Sequence, residues 1–265
     1  MDFFNNRVQK LITGTKTSVT VAGQTNGAAG SASDRLTNPV DLYLDANDNI
    51  YITDRGNNRL QFWPKNSTTA VTVAGIGSSS NISFSNPTTI VNDPSSNNLY
   101  LSDTYAHRII SYPSGVVLAG GNGAGNSYTQ LNMPYGLAYD SFSKSFIIPN
   151  SATNNIVRWV ISAKNRTHIT GNTNGSPGAT STTLNYPIGL ILDPMGNIYV
   201  ADAYNHRIQM FLVDQSNGTT IAGVTNSLGT DSTHLNTPYW LLLDNQLNLY
   251  VSDSSNNRVQ KFLRY

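Results

Sequence analysis

One string of 28 or 29 residues occurs five times in this 265-residue chain, and it constrains the fold more than any other feature. The copies begin at Leu36, Phe84, Leu131, Leu184 and Leu235, and a partial copy starts at Asp2. Each full copy carries a proline near its start, at Pro39, Pro87, Pro134, Pro187 and Pro238, so the spacings are 48, 47, 53 and 51 residues. Self-similarity at about 40–50 residues is typical of solenoids, propellers and repeat arrays.

Each repeat contains four short apolar runs. In the copy that begins at Leu184, the first run follows the proline, the second ends at Asp202 and the third follows Arg207. A fourth run lies between the copies and ends in glycine, at Gly23, Gly75, Gly120, Gly171 and Gly223. Four short strands are the content of one propeller blade. The sequence therefore predicts an all-β β-propeller of four-stranded antiparallel blades.

The repeats run without a break, which predicts a single domain over residues 1–265, with a partial unit at 2–23. Propeller rings are usually closed when one terminus completes the blade begun by the other. Here the fourth-strand run at 17–23 is expected to share the closing blade with the C-terminal strands. The sequence leaves open whether there are five or six blade positions. Because the chain begins in the middle of a repeat, we expect it to be part of a longer protein.

Composition narrows the class of protein further. The chain has 15 Asp but no Glu, only six Lys and no Cys, and its net charge is +1. Without Glu and with little Lys it lacks the residues that fill helix surfaces, so almost no helix is expected. Disulfides and thiolate metal sites are excluded. No apolar run reaches the ~18 residues of a membrane span, and the first residues do not form a secretory signal.

The cellular compartment stays open. Glycosylation sequons occur at Asn66, Asn165 and Asn217, in corresponding hairpins between third and fourth strands, and at Asn81 in another loop. An extracellular setting is compatible with these sequons.

An Asp and an Arg five residues apart flank the turn between the second and third runs. The pairs are Asp2/Arg7, Asp54/Arg59, Asp103/Arg108, Asp202/Arg207 and Asp253/Arg258. In the third full repeat both members change together, to Asn150 and Asn155. Losing one partner of a buried pair strands a charge, at a cost of roughly 3–5 kcal/mol. We therefore predict that each pair is a structural strut and that these acids are neither catalytic nor metal ligands.

The remaining polar repeats are interpreted as turn residues. Asp45, Asp93, Asp140, Asp193 and Asp244 each end a first strand before a turn, which Asx-turn chemistry explains. His107 and His206 share one repeat position, where other units carry Asn, and His168 and His234 form no ligand spacing. No metal site and no cofactor are predicted.

With the Leu-x-x-Pro start, the Asp and the Asn-His-Arg string at 205–207 in view, the chain resembles the NHL repeat family. The resemblance covers essentially the whole chain. It implies a β-propeller, commonly of six blades, that acts as a scaffold and binds proteins through one face. Some relatives bind RNA through a basic face, and a minority are enzymes, such as a lyase with zinc and His ligands.

This chain departs from both special cases. Four scattered His do not supply a His trio, and no Glu is present for a lactonase-type metal site. Few basic residues lie outside the struts, so RNA binding is poorly supported. The favoured interpretation is a non-catalytic module that binds a protein or peptide. The alternative is a metal-assisted hydrolase or lyase, and RNA binding comes third.

The candidate binding surface consists of large residues at positions that vary from one repeat to the next. They follow the repeat proline or the repeat Asp, and they are Arg55, Tyr105, Tyr135, Tyr204, Tyr239 and Trp240. Tyr, Trp and Arg are enriched at interface hot spots. We predict that these residues contribute to a partner-binding face.

Overall fold

The fold is known from a computed structural model that describes residues 1–12, 14–15 and 17–264. The chain divides into two compact units, Met1–Val117 and Leu118–Tyr265. The predicted single domain is not tested by this division and stays a prediction.

The described residues form strands and single 3-10 turns, with no α-helix among them. The first strands are β1 (Val8–Leu11), β2 (Ser18–Ala22), β3 (Leu42–Leu44), β4 (Ile50–Asp54), β5 (Arg59–Trp63), β6 (Val71–Gly75), β7 (Pro87–Asn92), β8 (Leu99–Asp103), β9 (Arg108–Tyr112) and β10 (Val117–Gly120). The remaining strands are β11 (Ala138–Asp140), β12 (Ser145–Asn150), β13 (Asn155–Val160), β14 (Thr167–Gly171), β15 (Pro187–Leu192), β16 (Ile198–Asp202), β17 (Arg207–Phe211), β18 (Gly218–Gly223), β19 (Pro238–Leu243), β20 (Leu249–Asp253) and β21 (Arg258–Phe262).

The strands form up-and-down antiparallel sheets. Four sheets have four strands each, β3 to β6, β7 to β10, β11 to β14 and β15 to β18, in sequence order. A two-stranded sheet holds β1 and β2, and a three-stranded sheet holds β19 to β21. The predicted all-β class and the four-stranded antiparallel blades of a β-propeller are thus confirmed. The sharing of a closing blade by the terminal strands stays a prediction.

The cores lie between neighbouring blades of the same unit. In the first unit Leu60 and Ala74 of one blade pack with Leu101 and Ile110 of the next. In the second unit Ile147, Val200 and Phe211 form an equivalent cluster with no exposed surface. Alternate residues of a strand point to opposite faces, so a blade can bury one of its faces against a neighbouring blade of the same unit. This packing explains why both faces of the inner strands are apolar.

A 3-10 turn follows the second strand of every repeat. The turns are Phe3–Asn5, Arg55–Asn57, Thr104–Ala106, Ser151–Thr153, Ala203–Asn205 and Ser254–Asn256. The next residue is always Asn or His in the left-handed conformation, for example Asn58 at φ 50° and His206 at φ 56°. Asn and His are among the residues that tolerate this conformation best. Each turn therefore presents its middle residue at the end of the second strand of its repeat.

None of the described helical turns is long and apolar enough to cross a membrane. The four sequon asparagines, Asn66, Asn81, Asn165 and Asn217, are all exposed. Their glycosylation stays a prediction.

Candidate binding face

An Asp–Arg strut fixes the 3-10 turn in five of the six described copies of the repeat. In the fourth blade Arg207 Nε donates to Asp202 Oδ2 at 2.8 Å, and Asn205 Nδ2 donates to the same oxygen at 2.7 Å. Asp202 Oδ1 accepts from the Asn185 backbone N–H at 2.7 Å. The carboxylate thus joins the turn, the third strand and the segment that leads into the first strand.

The guanidinium group of the strut also holds the loop before the first strand. The two Nη atoms of Arg207 donate to the carbonyl oxygens of Ala179, Thr180 and Thr183. The Arg207 side chain is only 3% exposed. Charge-assisted hydrogen bonds are stronger than neutral ones, so this loop and the turn beside it form one rigid body.

The same ion pair occurs in the other blades that carry Asp and Arg. The Nε–Oδ2 distance is 2.7 to 2.8 Å in Asp2/Arg7, Asp54/Arg59, Asp103/Arg108 and Asp253/Arg258. Burial raises the pKa of Asp202, against the opposing effect of its hydrogen bonds and of Arg207. Asp54 and Asp103 show the same direction for the same reason. A raised carboxyl pKa is a mark of catalytic acids, but here it occurs in three copies of the strut. In the fifth blade burial also acts to raise the pKa of Asp253, but hydrogen bonds, the largest from Asn256, outweigh burial and lower it.

The third blade has no Asp–Arg strut, and two other side chains, Asn150 and Arg166, make the equivalent contacts. Asn150 Oδ1 accepts from the Asn132 backbone N–H, as Asp202 does from Asn185. Arg166 then donates to the carbonyl oxygens of Asn126 and Ser127, at 2.7 and 3.0 Å. These carbonyls correspond to those of Ala179 and Thr180 in the fourth blade. Arg166, which directly precedes the fourth strand, therefore binds the same loop that Arg207 binds in the fourth blade.

Sequence comparison of the repeats missed Arg166. Its position corresponds to Ala70 and Gly218, whose backbone N–H groups donate to equivalent loop carbonyls. Because neither of these residues has a polar side chain, repeat alignment gave no signal for the position. The joint loss of Asp and Arg in this blade was the available clue that another cation was required.

After four of the turns, the Asn or His accepts a hydrogen bond from the segment that leads into the next blade. In the second unit Asn154 Oδ1 accepts from the Tyr186 backbone N–H at 2.8 Å, and His206 Nδ1 accepts from the Thr237 backbone N–H at 3.2 Å. This bond requires an unprotonated Nδ1. The shared position is therefore an acceptor position as well as a turn position, which explains why His and Asn alternate there.

We expect acid to weaken this link. Burial lowers the pKa of His206 below its ordinary value, so the unfolded chain binds a proton more readily than the folded one. The free energy of unfolding should then fall as pH drops below about 6.5, the unfolded His pKa, by at most about 1 kcal/mol for one hydrogen bond. His206→Asn copies the blades that carry Asn at this position and should reduce this pH dependence in urea titrations. Burial also lowers the pKa of His107 and of His168, so part of the pH dependence should remain. An unchanged slope would contradict the acceptor role.

Aromatic side chains cluster above the turns of the second unit. Tyr186 and Tyr204 stack with centroids 4.9 Å apart and planes at 11°, and Tyr135 lies 6.3 Å from Tyr186. Tyr239 packs against the same cluster. Tyr204 is 51% exposed, whereas Tyr135 is buried. We call Tyr135, Tyr186, Tyr204 and Tyr239 the tyrosine cluster. Its exposed ring, Tyr204, stacks on the half-buried ring of Tyr186.

Inner strands of neighbouring blades approach closely beside this cluster. A Cβ on Gly189 would lie 2.2 Å from the Tyr239 carbonyl oxygen and 3.0 Å from the Trp240 ring. Only glycine fits at this point, so the backbone that carries Tyr239 and Trp240 is held against β15. Trp240 is half-buried.

The first unit contains two of the predicted binding residues, Arg55 and Tyr105. Arg55 Nε donates to Asn86 Oδ1 at 2.6 Å, and its guanidinium lies 5.9 Å from the Phe3 ring centroid. Tyr105 is 49% exposed and Phe4 is 79% exposed. Phe4, Tyr105 and Tyr204 occupy the same middle position of their 3-10 turns. Phe4 and Tyr186 were not singled out from the sequence; each sits at a position where its counterparts vary.

No group of three or more His, Asp, Cys or Glu side chains arranged to hold a metal ion occurs in the part of the chain that the structure describes. His234 is 2.7 Å from Asp231 through its Nδ1, on an exposed loop.

Comparison with known proteins identifies related sequences over part of the chain. The model of the NHL repeat matches residues 36–62 and 184–211. The NHL repeat-containing protein 2 of Homo sapiens is 39% identical over 85 residues, and that of Bos taurus has the same identity. The match spans 29% of this chain and 12% of the relative, so the chain covers only a small part of its length.

Solved structures are similar over nearly the whole chain. The nidogen/laminin complex matches with a TM-score of 0.69 and 15% identity, over 98% of this chain and 90% of that one. An auxiliary nutrient binding protein from Bacteroides ovatus gives 0.65 and 16%, over 92% and 60%. Virginiamycin B lyase from Staphylococcus aureus, with quinupristin, gives 0.56 and 12%, over 85% and 70%. At such identities the similarity concerns the fold alone.

Proposed function

We propose that this β-propeller, in which two segments match the NHL repeat, is a non-catalytic module that holds a protein or peptide partner at the 3-10 turns. The observation that carries this proposal is the exposed Tyr204 ring, stacked on Tyr186 and based on a turn fixed by a buried strut. In the other unit Tyr105 is exposed at the equivalent position.

Rigid exposed tyrosines suit a partner-binding role. Association is opposed by the loss of side-chain freedom, at about 0.5–1.5 kcal/mol for each immobilised side chain. Tyr204 is already held by Tyr186, so it loses little freedom when it is covered. Tyrosine supplies a large apolar ring and a hydroxyl group on two torsions, which is why it is frequent in binding surfaces. The fixed turn thus lowers the cost of binding.

The basic side chains do not favour nucleic acid. Four of the Arg residues in the struts, Arg59, Arg108, Arg207 and Arg258, donate to carboxylates and loop carbonyls. Phosphate binding needs exposed cations. The alternative of a hydrolase or lyase has the fold similarity to virginiamycin B lyase in its favour, but a shared fold does not carry a chemistry with it.

A peptide selection tests the proposal. Peptides selected from a random display library on the folded protein should bind the variant Tyr204→Ala/Trp240→Ala about tenfold more weakly, since hot-spot residues each contribute more than about 1 kcal/mol. The matched control is Phe142→Ala, because Phe142 is 98% exposed in a hairpin at the other end of the strands. If the selected peptides bind the double variant as well as they bind the control, while circular dichroism shows an intact fold, the proposed face is wrong.

A further inference from the structure

A cleft of about 370 Å³ lies in the first unit, at the ends of the strands opposite the 3-10 turns. Three tyrosines line it: Tyr43 of β3, Tyr51 of β4 and Tyr112 of β9. The Tyr51 ring centroid lies 6.2 Å from that of Tyr43 and 6.5 Å from that of Tyr112, with planes tilted by 35° and 54°. Ligand pockets are typically ~300–1,000 Å³. The rings belong to two blades and form converging walls.

The cleft also contains an uncompensated negative charge. Asp45 lines it and accepts hydrogen bonds from the Asn47 and Asn49 backbone N–H groups and from Asn49 Nδ2. Burial alone would raise its pKa, but the bonds from Asn49 and Asn47 outweigh burial and hold the pKa below its ordinary value. Among the described residues no Lys or Arg lies within ion-pair distance of Asp45. The carboxylate is therefore charged and has no resident cation.

Two of the other blades supply that cation. In the third blade Arg158 Nη1 lies 3.3 Å from Asp140 Oδ2, and Asp140 occupies the position of Asp45. In the fifth blade Lys261 Nζ lies 3.7 Å from Asp244 Oδ2 and 5.1 Å from the Tyr250 ring centroid. An ammonium group over a tyrosine face is attracted by the ring quadrupole. The fifth blade thus places a lysine ammonium between a tyrosine ring and the repeat carboxylate.

The first blade has the same tyrosine and carboxylate without the lysine. Tyr250 pairs with Lys261 across the strands, and Tyr51 pairs with Phe62 in the same register. Phe62 therefore stands where the fifth blade has Lys261. Its ring lies 5.0 Å from that of Tyr51, so the substitution removes the internal ammonium and adds an aromatic wall.

Asn92 adds an unused hydrogen-bond acceptor. Its Oδ1 is buried and has no hydrogen-bond partner among the residues described, and Asn92 lines the cleft. The corresponding residues Leu44, Leu192 and Leu243 are apolar. A buried polar atom without a partner is costly. A ligand N–H group that reached this atom from the cleft would satisfy it.

We propose that this cleft binds a primary alkylammonium group, the chemistry of a lysine side chain. The rings of Tyr43, Tyr51 and Tyr112 surround the cation, the Asp45 carboxylate neutralises it, and Asn92 Oδ1 accepts one of its N–H groups. This site lies at the other end of the strands from the face proposed for a partner, so each can be tested without the other.

Titration of the full chain with n-butylammonium tests the site directly. We expect saturable binding with a Kd of about 1 mM, which suits a ligand of this size, and upfield shifts of its methylene protons from the tyrosine ring currents. The neutral control 1-butanol should show no saturable shift. Tetramethylammonium has no N–H group and should bind more weakly. Equal binding of 1-butanol, tighter binding of tetramethylammonium, or no saturable shift with n-butylammonium would each overturn the proposal.

Two variants separate binding from folding. Asp45→Asn keeps the turn acceptor but removes the charge. Asn92→Leu copies the first, fourth and fifth blades and is expected to leave stability intact. Each should weaken n-butylammonium binding, Asp45→Asn by about tenfold, which corresponds to the upper range for one close charge or cation–π contact. The matched control is Asp244→Asn in the fifth blade, where Kd should not change. Unchanged binding by Asp45→Asn would rule out the carboxylate as the counterion.

Discussion

Replacing Arg207 by Ala is expected to lower the free energy of unfolding by roughly 3–5 kcal/mol, the cost of leaving a buried charge without its partner. Asp202 has no exposed surface, so water cannot replace the guanidinium. The substitution also removes the donors for three loop carbonyls. Urea denaturation measures the change directly, provided that the slope with denaturant is the same in both proteins.

The third blade provides the control for this experiment. The double variant Asp202→Asn/Arg207→Asn removes both charges, as Asn150 and Asn155 do, and should be less destabilised than the sum of the two single changes. It should still be less stable than the parent, because nothing in the fourth blade takes the role of Arg166. At the equivalent position a Cβ on Gly218 would lie 2.7 Å from the Phe211 ring. Strict additivity of the single variants would mean that the pair is not coupled.

Replacing Arg166 by Ala is expected to cost about 3 kcal/mol, from the loss of two or more charge-assisted hydrogen bonds in a buried setting. Arg166 is buried, and it binds the carbonyls of Asn126 and Ser127 and the side chain of Asn126. Arg158→Ala in the same blade is the matched control. Its ion pair with Asp140 is partly exposed, so its loss should cost less than about 1 kcal/mol.

A rescue experiment tests whether Arg166 replaces the strut. Adding Asn150→Asp and Asn155→Arg to Arg166→Ala restores the pair found in the other blades and should recover most of the stability. The native arrangement leaves Asn150 Nδ2 and Asn155 Oδ1 buried without hydrogen bonds, and the two substitutions remove both of these unsatisfied atoms. If Arg166→Ala costs no more than Arg158→Ala, or if the restored pair recovers nothing, the replacement account is wrong.

Arg207 and Arg166 show which structural residues a comparison of the repeats can predict and which it cannot. Arg207 was identified as a strut because Asp and Arg recur at a fixed spacing and vanish together, and its Nε lies 2.8 Å from Asp202. Arg166 was not identified, because the position has no counterpart with the same role. The tyrosine cluster divides in the same way: Tyr135, Tyr204 and Tyr239 were named from the sequence, whereas Tyr186 was not.

The sequence by itself determined the repeating unit, the four strands in each blade, the absence of α-helix in the described residues and the pairing of Asp with Arg. All of these depend on positions that recur with the repeat, so one copy can be checked against the others. The tertiary structure alone decided which non-equivalent residues meet, such as Arg166 with the loop at Asn126, Tyr186 with Tyr204, and Tyr112 with Tyr51. Such contacts join different blades or different parts of one blade. They depend on the path of the loops and on how one sheet packs against the next, and neither property has a period in the sequence.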